Sequence, residues 1–455
     1  MEKLRTEALP LFHITGRPGW INDPNGLVCF RGKYHVFYQY YPNDTKWGPM
    51  HWGHVVSDDL VSWEPLPIAL APGGEGDRDG CFSGSAIVWR ERLWLLYTGF
   101  EERGGGDAIR QVQCLASSED GIHFVKHGVV IGTDLLPTGY APTDFRDPKV
   151  WRRGDVFFCV VAARKTDGRG RVLLYRSKDL REWQFVGDLF GCDSRGSMIE
   201  CPDYIESLGA LVLCEQFQPN EGSKHLNIHT SRWYLGALDA GKGHFAPTAE
   251  GICDYGFDFY APQSFSGEDT MIAWLNMWDR NTPSAEYGFA GMLTVPRRLS
   301  VEGGRLCQSP VLPHTVPACA ETVTGSATLS DSGVAGVLTI DATAVRSLTL
   351  TLRQKPGQET VIAVHDGEMV FDRSRAGVPI TGAERDADSL AGIRRMPVDS
   401  GHLVLTIVMD RYSVEIFSGG RAMSSTVYPD ADADGITLTV DAERCTYARG
   451  ALTVQ

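Results

Sequence analysis

The stretch NDPNGLVCFRGKYHVFYQY, Asn22 to Tyr40, reads as a polar turn with a proline, an apolar strand, a short turn and a second apolar strand. Four later stretches share the design: CFSGSAIVWRERLWLLYTGF from Cys81, FRDPKVWRRGDVFFCVVAAR from Phe145, ECPDYIESLGALVLCEQF from Glu200 and YAPQSFSGEDTMIAWLNMW from Tyr260. Their starts lie roughly 55–65 residues apart. A second element follows the first three, SDDLVSWEPL at Ser57, SSEDGIHFVK at Ser117 and SKDLREWQFV at Ser177, each a turn leading into a strand with an aromatic residue. Four strands per unit, repeated five times, is the requirement of an all-β five-bladed propeller with its blades packed around a channel. Strand–turn–strand patterns occur in any all-β chain; the fixed spacing is what selects the propeller.

In such a ring, equivalent positions on the innermost strands face one channel, so the polar residues opening each repeat converge. Asp23, Asp79 or Ser83, Asp147, Glu200 and Tyr260 are therefore expected around one pocket at the mouth of the ring. The propeller is expected over residues 1–300, followed by a Pro-bearing connector over 301–325. From 326 to 455 the chain turns Ser-, Thr- and Val-rich, with alternation in SLTLTLRQ at Ser347, HLVLTIVMD at His402, YSVEIFSGG at Tyr412 and GITLTV at Gly435. Strands with one buried face read this way, and a C-terminal β-sandwich is expected.

Composition narrows the function classes. With 455 residues the chain exceeds what one core organises. The 11 Trp, 15 Tyr and 19 Phe supply flat apolar faces on which sugars stack, and 50 Gly with 24 Pro suit many short strands and tight turns. A net charge of −14 disfavours nucleic acid and anionic membrane surfaces as partners. The 11 cysteines show no metal-type spacing, and Cys159 in VFFCVV and Cys214 in LVLCEQ read as buried thiols. The opening MEKLRTEALPLFHITGRPGWINDPNG has no apolar core of signal-peptide type, and no long apolar run follows, so a cytoplasmic protein is expected.

Three acids stand apart: Asp23 in WINDPNG, Asp147 in FRDPKV and Glu200 in MIECPD, each followed closely by a proline, Pro24, Pro148 and Pro202. Proline restrains the residue before it, which would hold the Asp23 and Asp147 carboxylates in place. One Asp-Pro alone is an ordinary turn initiator; recurrence at the repeat spacing makes these site candidates. Glu200 lies between Met198-Ile199 and Cys201-Pro202, an apolar setting that would raise its pKa, whereas Asn22 and Asn25 would donate hydrogen bonds to ionised Asp23.

WINDPNG, FSGS at Phe82–Ser85, FRDP and ECPD, in that order, resemble the signatures of glycoside hydrolase family 32, the invertase and fructanase family. The likeness continues through GFDFYAPQSF at Gly256 and GFAGMLTVPR at Gly288 to MDRYSVEIFSGGRAMSSTVYP at Met409, nearly the whole chain. It implies a five-bladed propeller plus β-sandwich, and a retaining β-fructofuranosidase acting on sucrose and short fructo-oligosaccharides. It further implies Asp23 as nucleophile, Glu200 as acid/base and Asp147 as the group holding ring hydroxyls, in keeping with the carboxylate pair of retaining glycosidases, about 5–5.5 Å apart. Matching motifs place Asn22, Gln39, Trp47, Phe82, Ser83 and Arg146 at the fructose subsite, with Tyr260 and Trp278 as further candidates. Ile199 departs from the pattern, since many members carry an aromatic residue before the catalytic Glu, and this bears on the leaving-group side.

No cofactor or metal is expected; His51 and His54 in MHWGH lack a third ligand of suitable spacing. Sucrose-6-phosphate hydrolysis shares every motif and is the alternative substrate reading. A non-catalytic sugar-binding propeller would be expected to lack at least one acid, and an enzyme of arabinose or xylose polymers fits WINDPNG with FSGS less well. The sandwich is expected to support the propeller, with a homodimer interface or a share in the pocket entrance as alternatives.

Overall fold

The structure is a computed structural model that describes residues 3–102, 109–191, 198–216, 227–316, 319–329, 334–382 and 386–452. Five sheets stand around an axis, each running outward from an inner strand. The inner strands are Gly19–Phe30, Gly80–Trp89, Tyr140–Arg153, Met198–Ile205 and Tyr260–Ser264 of blades I to V. Each inner strand contacts its neighbours in the ring, and blade V returns to blade I. Apolar residues from facing blades fill the wedges; Ile87, Phe145, Phe157 and Tyr175, for example, pack between blades II and III. The expected propeller is present.

Closure uses a segment from beyond blade V's inner hairpin. Phe289–Ala290, within the GFAGMLTVPR motif, pairs in parallel with Gly19 and Trp20, becoming a fifth strand of blade I. Hydrogen bonding the end of the propeller to its beginning removes the open edge that a linear stack of blades would expose.

The recurring Ser-x-Asp turns have a common cause. Ser57, Ser118 and Ser177 hydroxyls accept backbone N–H groups three residues on, while Asp59, Asp120 and Asp179 accept from the next two amides. Short polar side chains thus satisfy the turn's amides. The residue after each Asp has positive φ: Leu60 at 66°, Gly121 at 82° and Leu180 at 66°.

Blade V ends in the hairpin Arg297–Glu302 and Arg305–Pro310, turning at Gly303-Gly304. Residues 301–310, expected as connector, therefore pair in the propeller, and Glu321–Thr322 already pairs in the next domain. That domain is two six-stranded antiparallel sheets sharing one core, the expected β-sandwich.

Buried charge joins the two domains. Arg297 of blade V, wholly buried, donates to Asp254 and Glu415 at 2.9 Å each. His13 lies between Asp410 (Nδ1–Oδ2 2.8 Å) and Glu415 (Nε2–Oε1 3.0 Å). Asp258 takes Arg280 (2.9 Å), Arg373 (2.8 Å) and the Thr426 amide (2.7 Å). Gly256 approaches Ser424 so closely that a Cβ would overlap the Ser424 carbonyl. The GFDFY stretch and the Met409–Pro429 stretch are thus the two halves of one interface. No helix among the described residues is long and apolar enough to cross a membrane.

Candidate active site

The same irregularity interrupts every inner strand at the same place. Register shifts fall at Asn22-Asp23, at Ser83, at Asp147-Pro148, at Cys201-Pro202 and at Ala261-Pro262. A β-bulge re-aims the side chains beside it, and Pro or Gly after the bulge suits a position that has lost its ladder bond. Asp147, Cys201 and Ala261 have φ of 64°, 48° and 49°, a left-handed backbone costly for residues with a Cβ and concentrated at functional sites. Aligned by the Pro or Gly that follows, Asp23, Ser83, Asp147, Cys201 and Ala261 are equivalent, and the residues before them are Asn22, Phe82, Arg146, Glu200 and Tyr260. Blades I to III each send both side chains of the pair to the mouth of the channel, and blade IV sends Glu200.

Asp23 is buried, with Oδ2 accepting the Ser83 hydroxyl at 2.6 Å and Oδ1 accepting Asn22 Nδ2 at 3.1 Å. Asn22 is aimed by Trp20, whose indole N–H reaches its Oδ1 at 2.8 Å. The Cys201 thiol donates to Asp23 Oδ2 at 3.4 Å, while its backbone N–H donates to Asp147 Oδ2 at 2.9 Å, so Cys201 ties the two aspartates together. The Asp147 amide donates to Thr98 Oγ1 at 2.8 Å. Burial pushes the Asp23 carboxyl above its ordinary value, opposed by Ser83 and reinforced by the charge of Glu200. Burial also pushes Asp147 up to about 7, with Arg146 opposing and Glu200 and Asp23 adding.

Glu200 is gripped rather than surrounded by apolar groups. Arg146 donates to Oε1 from Nε (3.0 Å) and Nη2 (2.7 Å), while Tyr260 OH and Gln216 Nε2 donate to Oε2 at 2.6 Å each. The apolar setting expected for Glu200 is thus corrected: Ile199 and Met198 turn into the core between blades III and IV, away from the carboxylate. Asn25 also differs from expectation. Its amide donates to the Asp23 backbone carbonyl at 3.3 Å and its oxygen accepts the Gly84 amide at 3.2 Å, so it fixes the bulge and leaves the carboxylate to Ser83 and Asn22. Asp79 lies just before its blade's inner strand, bound to Arg78 and the Glu102 amide, and Ser83 takes the place left open between them.

These groups line a cavity of about 320 Å³ that also includes Gln39, Trp47, Phe82 and Trp278. Phe82 stacks on Phe100 at 4.5 Å and meets the edge of half-exposed Trp47 at 5.9 Å. Trp278 stacks on Trp20 at 6.0 Å. The cavity brings together every expected site residue except Tyr260, which reaches it through Glu200. Two aromatic walls over a floor of carboxylates and amides suit a hydroxylated ring with one apolar face.

Residues 13–310 match glycosyl hydrolases family 32, N-terminal domain, and residues 314–452 match its C-terminal counterpart. The chain belongs to glycoside hydrolase family 32. A sucrose-6-phosphate hydrolase of Escherichia coli is 40% identical, covering 94% of this chain and 91% of that protein. A raffinose invertase of Escherichia coli is 38% identical with the same coverage. Among solved structures, a family-32 β-fructofuranosidase of Bombyx mori superposes with TM-score 0.85 at 31% identity, covering 99% of this chain and 95% of its own. A sucrose-6-phosphate hydrolase of Lactobacillus gasseri gives 0.88 at 25%, covering 98% and 94%. The protein is a glycoside hydrolase.

Within this family-32 site, sequence reasoning missed Gln111, Asp144, Gln216 and the linking role of Cys201. Arg146 Nη1 donates to Asp144 at 3.1 Å and to Gln111 at 3.3 Å, completing a fan of acceptors around one guanidinium. Asp144 stands two residues before Arg146 on the same strand, where alternation returns it to the same face, and that was a readable signal. Gln111 and Gln216 sit on other strands of blades II and IV and gave none. His54 is buried against His35 (3.0 Å) with its pKa held well below the ordinary value by burial, and His51 bonds the Pro49 carbonyl at 2.9 Å. Among the described residues no cluster suits a metal ion.

Proposed function

We propose that this family-32 enzyme is a retaining β-fructofuranosidase acting on sucrose and short fructo-oligosaccharides. The observation that carries the reading is the division of the three acids: Asp23 held by hydroxyl and amide donors, Glu200 held by Arg146, Tyr260 and Gln216, Asp147 tied between them. In this mechanism an Asp23 oxygen forms a bond to the anomeric C2 of the fructosyl unit as the C2–O bond to the leaving sugar breaks. Glu200 transfers its proton to that departing oxygen. Water, giving its proton to Glu200, then attacks C2 and frees Asp23. Asp147 and Arg146 hold ring hydroxyls, Asn22, Gln39 and Ser83 frame the furanose, and Trp47, Phe82 and Trp278 enclose it.

A neutral substrate is supported by the charge of the pocket. Arg146 is the cation among the described residues that line it, and Glu200, Asp144 and Asp147 already surround it. A sugar phosphate needs a cation with donors to spare. The second reading, sucrose-6-phosphate hydrolysis, is favoured by the names of several relatives. A variant of the Bombyx enzyme was solved in complex with sucrose, which favours the first. Side-by-side turnover of sucrose, sucrose-6-phosphate, 1-kestose and inulin, with Asp23→Ala as blank, tests the proposal. Cleavage of sucrose and 1-kestose is expected; cleavage of the phosphorylated sugar alone would replace it with the second reading.

A further inference from the structure

Three residues that line the cavity have no part in holding the fructosyl unit: Gln111, Asp144 and Gln216. Two of them stand where a leaving sugar would lie. Exposure falls along the inner strand of blade III, from exposed Pro142 through partly exposed Asp144 to buried Asp147, so this strand runs inward from the mouth. Two residues of strand set Asp144 about 6–7 Å nearer solvent than Arg146. Asp23 and Asp147, which take the fructosyl unit in the proposed reaction, are buried, while Glu200 is partly exposed. The leaving sugar therefore lies outward, on the side of Glu200, Arg146 and Asp144.

Asp144 and Gln111 share one arm of Arg146, whose Nη1 donates to them at 3.1 and 3.3 Å. The Gln111 oxygen also accepts the Phe145 amide at 2.9 Å. Two N–H donors on the oxygen fix the orientation of the side-chain amide, and its nitrogen has no hydrogen-bond partner among the described residues. On the other oxygen of Asp144, Arg164 reaches Oδ2 from Nε at 2.9 Å and from Nη2 at 2.5 Å. Arg164 is 38% exposed, and among the described residues Asp144 is the carboxylate it pairs with. Burial would raise the Asp144 carboxyl, but the Arg146 and Arg164 charges outweigh it and hold it below its ordinary value. The rim thus carries a fixed negative charge, and the guanidinium behind it has its paired donors committed.

We infer that Asp144 determines the leaving-group specificity of this site: its carboxylate, with the Gln111 amide, receives hydroxyls of a neutral leaving sugar, and by holding the fork of Arg164 it denies that guanidinium to a phosphate. The inference rests on the fructosidase reading above and goes beyond it in naming the residues that choose the leaving sugar. A carboxylate oxygen accepts about two bonds, and Asp144 Oδ1 takes one, from Arg146, among the described residues. An acceptor and a donor side by side suit adjacent hydroxyls, each of which can donate and accept. A phosphate brought to the same wall would meet the Asp144 charge, and in a partly buried pocket like charges repel more strongly than in water. A guanidinium binds phosphate through paired N–H groups, and Arg164 has that geometry but is turned to Asp144. Removing the carboxylate therefore ends the repulsion and frees a receptor in one step.

The full chain and three variants, Asp144→Asn, Asp144→Ala and Asp144→Ala with Arg164→Ala, assayed on sucrose and on sucrose-6-phosphate, test it. The readout is the ratio of the two kcat/KM values on each enzyme, in which a general loss of activity or of folded protein cancels. The unsubstituted enzyme should favour sucrose. Asp144→Asn, which keeps the shape and removes the charge, should move the ratio toward the phosphorylated sugar about tenfold, and Asp144→Ala further. Removing Arg164 as well should take most of that gain away. An unchanged ratio in both single variants, or a gain that survives the loss of Arg164, overturns the inference and leaves the fructosidase reading standing. An unsubstituted enzyme that prefers sucrose-6-phosphate overturns the inference together with the choice of a neutral substrate. Fructose released from neither sugar overturns the fructosidase reading, and the inference with it.

Discussion

Arg146 and Glu200 are joined across two blades by a forked contact, Nε at 3.0 Å and Nη2 at 2.7 Å from the same oxygen, Oε1. The fork leaves Oε2 to Tyr260 and Gln216 and so fixes which oxygen of Glu200 faces which neighbour. A lysine keeps the charge but has neither the plane nor the paired donors. Arg146→Lys is expected to lower kcat/KM on the order of 100-fold, about 2.7 kcal/mol of transition-state stabilisation. Arg146→Ala should cost more, because Glu200 and Asp147 then share the pocket without a counter-charge, only Asp144 keeping one in Arg164. Steady-state kinetics with a thermal melt of each variant checks both.

Ser83 donates to Asp23 Oδ2 at 2.6 Å, which favours the ionised carboxylate against burial and the charge of Glu200. Removing that donor in Ser83→Ala raises the Asp23 pKa further. The acid limb of the kcat/KM profile should move to higher pH by about one unit, the equivalent of one charge-assisted hydrogen bond. A shift of the limb to lower pH would contradict the assignment.

Much of this site was readable because the acids occur in repeats whose spacing survives in sequence. Asp23 and Asp147 are equivalent by motif, each preceding a proline, although the strand pairing sets Asn22 level with Asp147. Glu200 is not their equivalent: in ECPD it is Cys201 that precedes the proline, and the strand pairing sets Glu200 level with Arg146. Aligning polar residues alone therefore mixes two positions, and it is why Asp79 competed with Ser83. The boundary near residue 300 was misplaced for a related reason. Residues 275–296 divert to close the ring through Phe289–Ala290 before blade V resumes at Arg297, so its outer hairpin looks like connector. The surroundings of Glu200 were misread because strand neighbours in sequence point to opposite faces, whereas its contacts come from three other strands.

His13 offers a test of how the domains are held. Burial would lower its pKa, but hydrogen bonds to Asp410 and Glu415 outweigh this and raise it from 6.5 to about 9. A pKa raised on folding means stability fully present below about pH 6.5 and lost as pH climbs through about 9. Despite burial, Asp410 and Glu415 are held below their ordinary values, so their share is present above the usual carboxylate range and lost as pH falls into it. His13→Ala is expected to cost on the order of 3 kcal/mol at pH 6 and less at pH 10, since it leaves buried Asp410 without a counter-charge and Glu415 with Arg297 alone. Denaturant unfolding at the two pH values checks the sign.

Gly256 is needed for close approach of the domains, since a Cβ there would overlap the Ser424 carbonyl. Gly256→Val should lower stability by about 2 kcal/mol or more through displacement of the Asp254–Arg297–Ser424 contacts. Differential scanning calorimetry should show a lower transition for the variant; an unchanged profile would mean that the interface yields without cost.

The central claim, that Asp23 carries the fructosyl group while Glu200 serves the leaving oxygen, is tested most directly by the stereochemistry of transfer. Sucrose cleaved in the presence of methanol, followed by NMR from the first turnovers, should yield methyl β-D-fructofuranoside, with Asp23→Ala yielding none. Formation of the α-anomer, or undiminished turnover by the variant, would contradict the account.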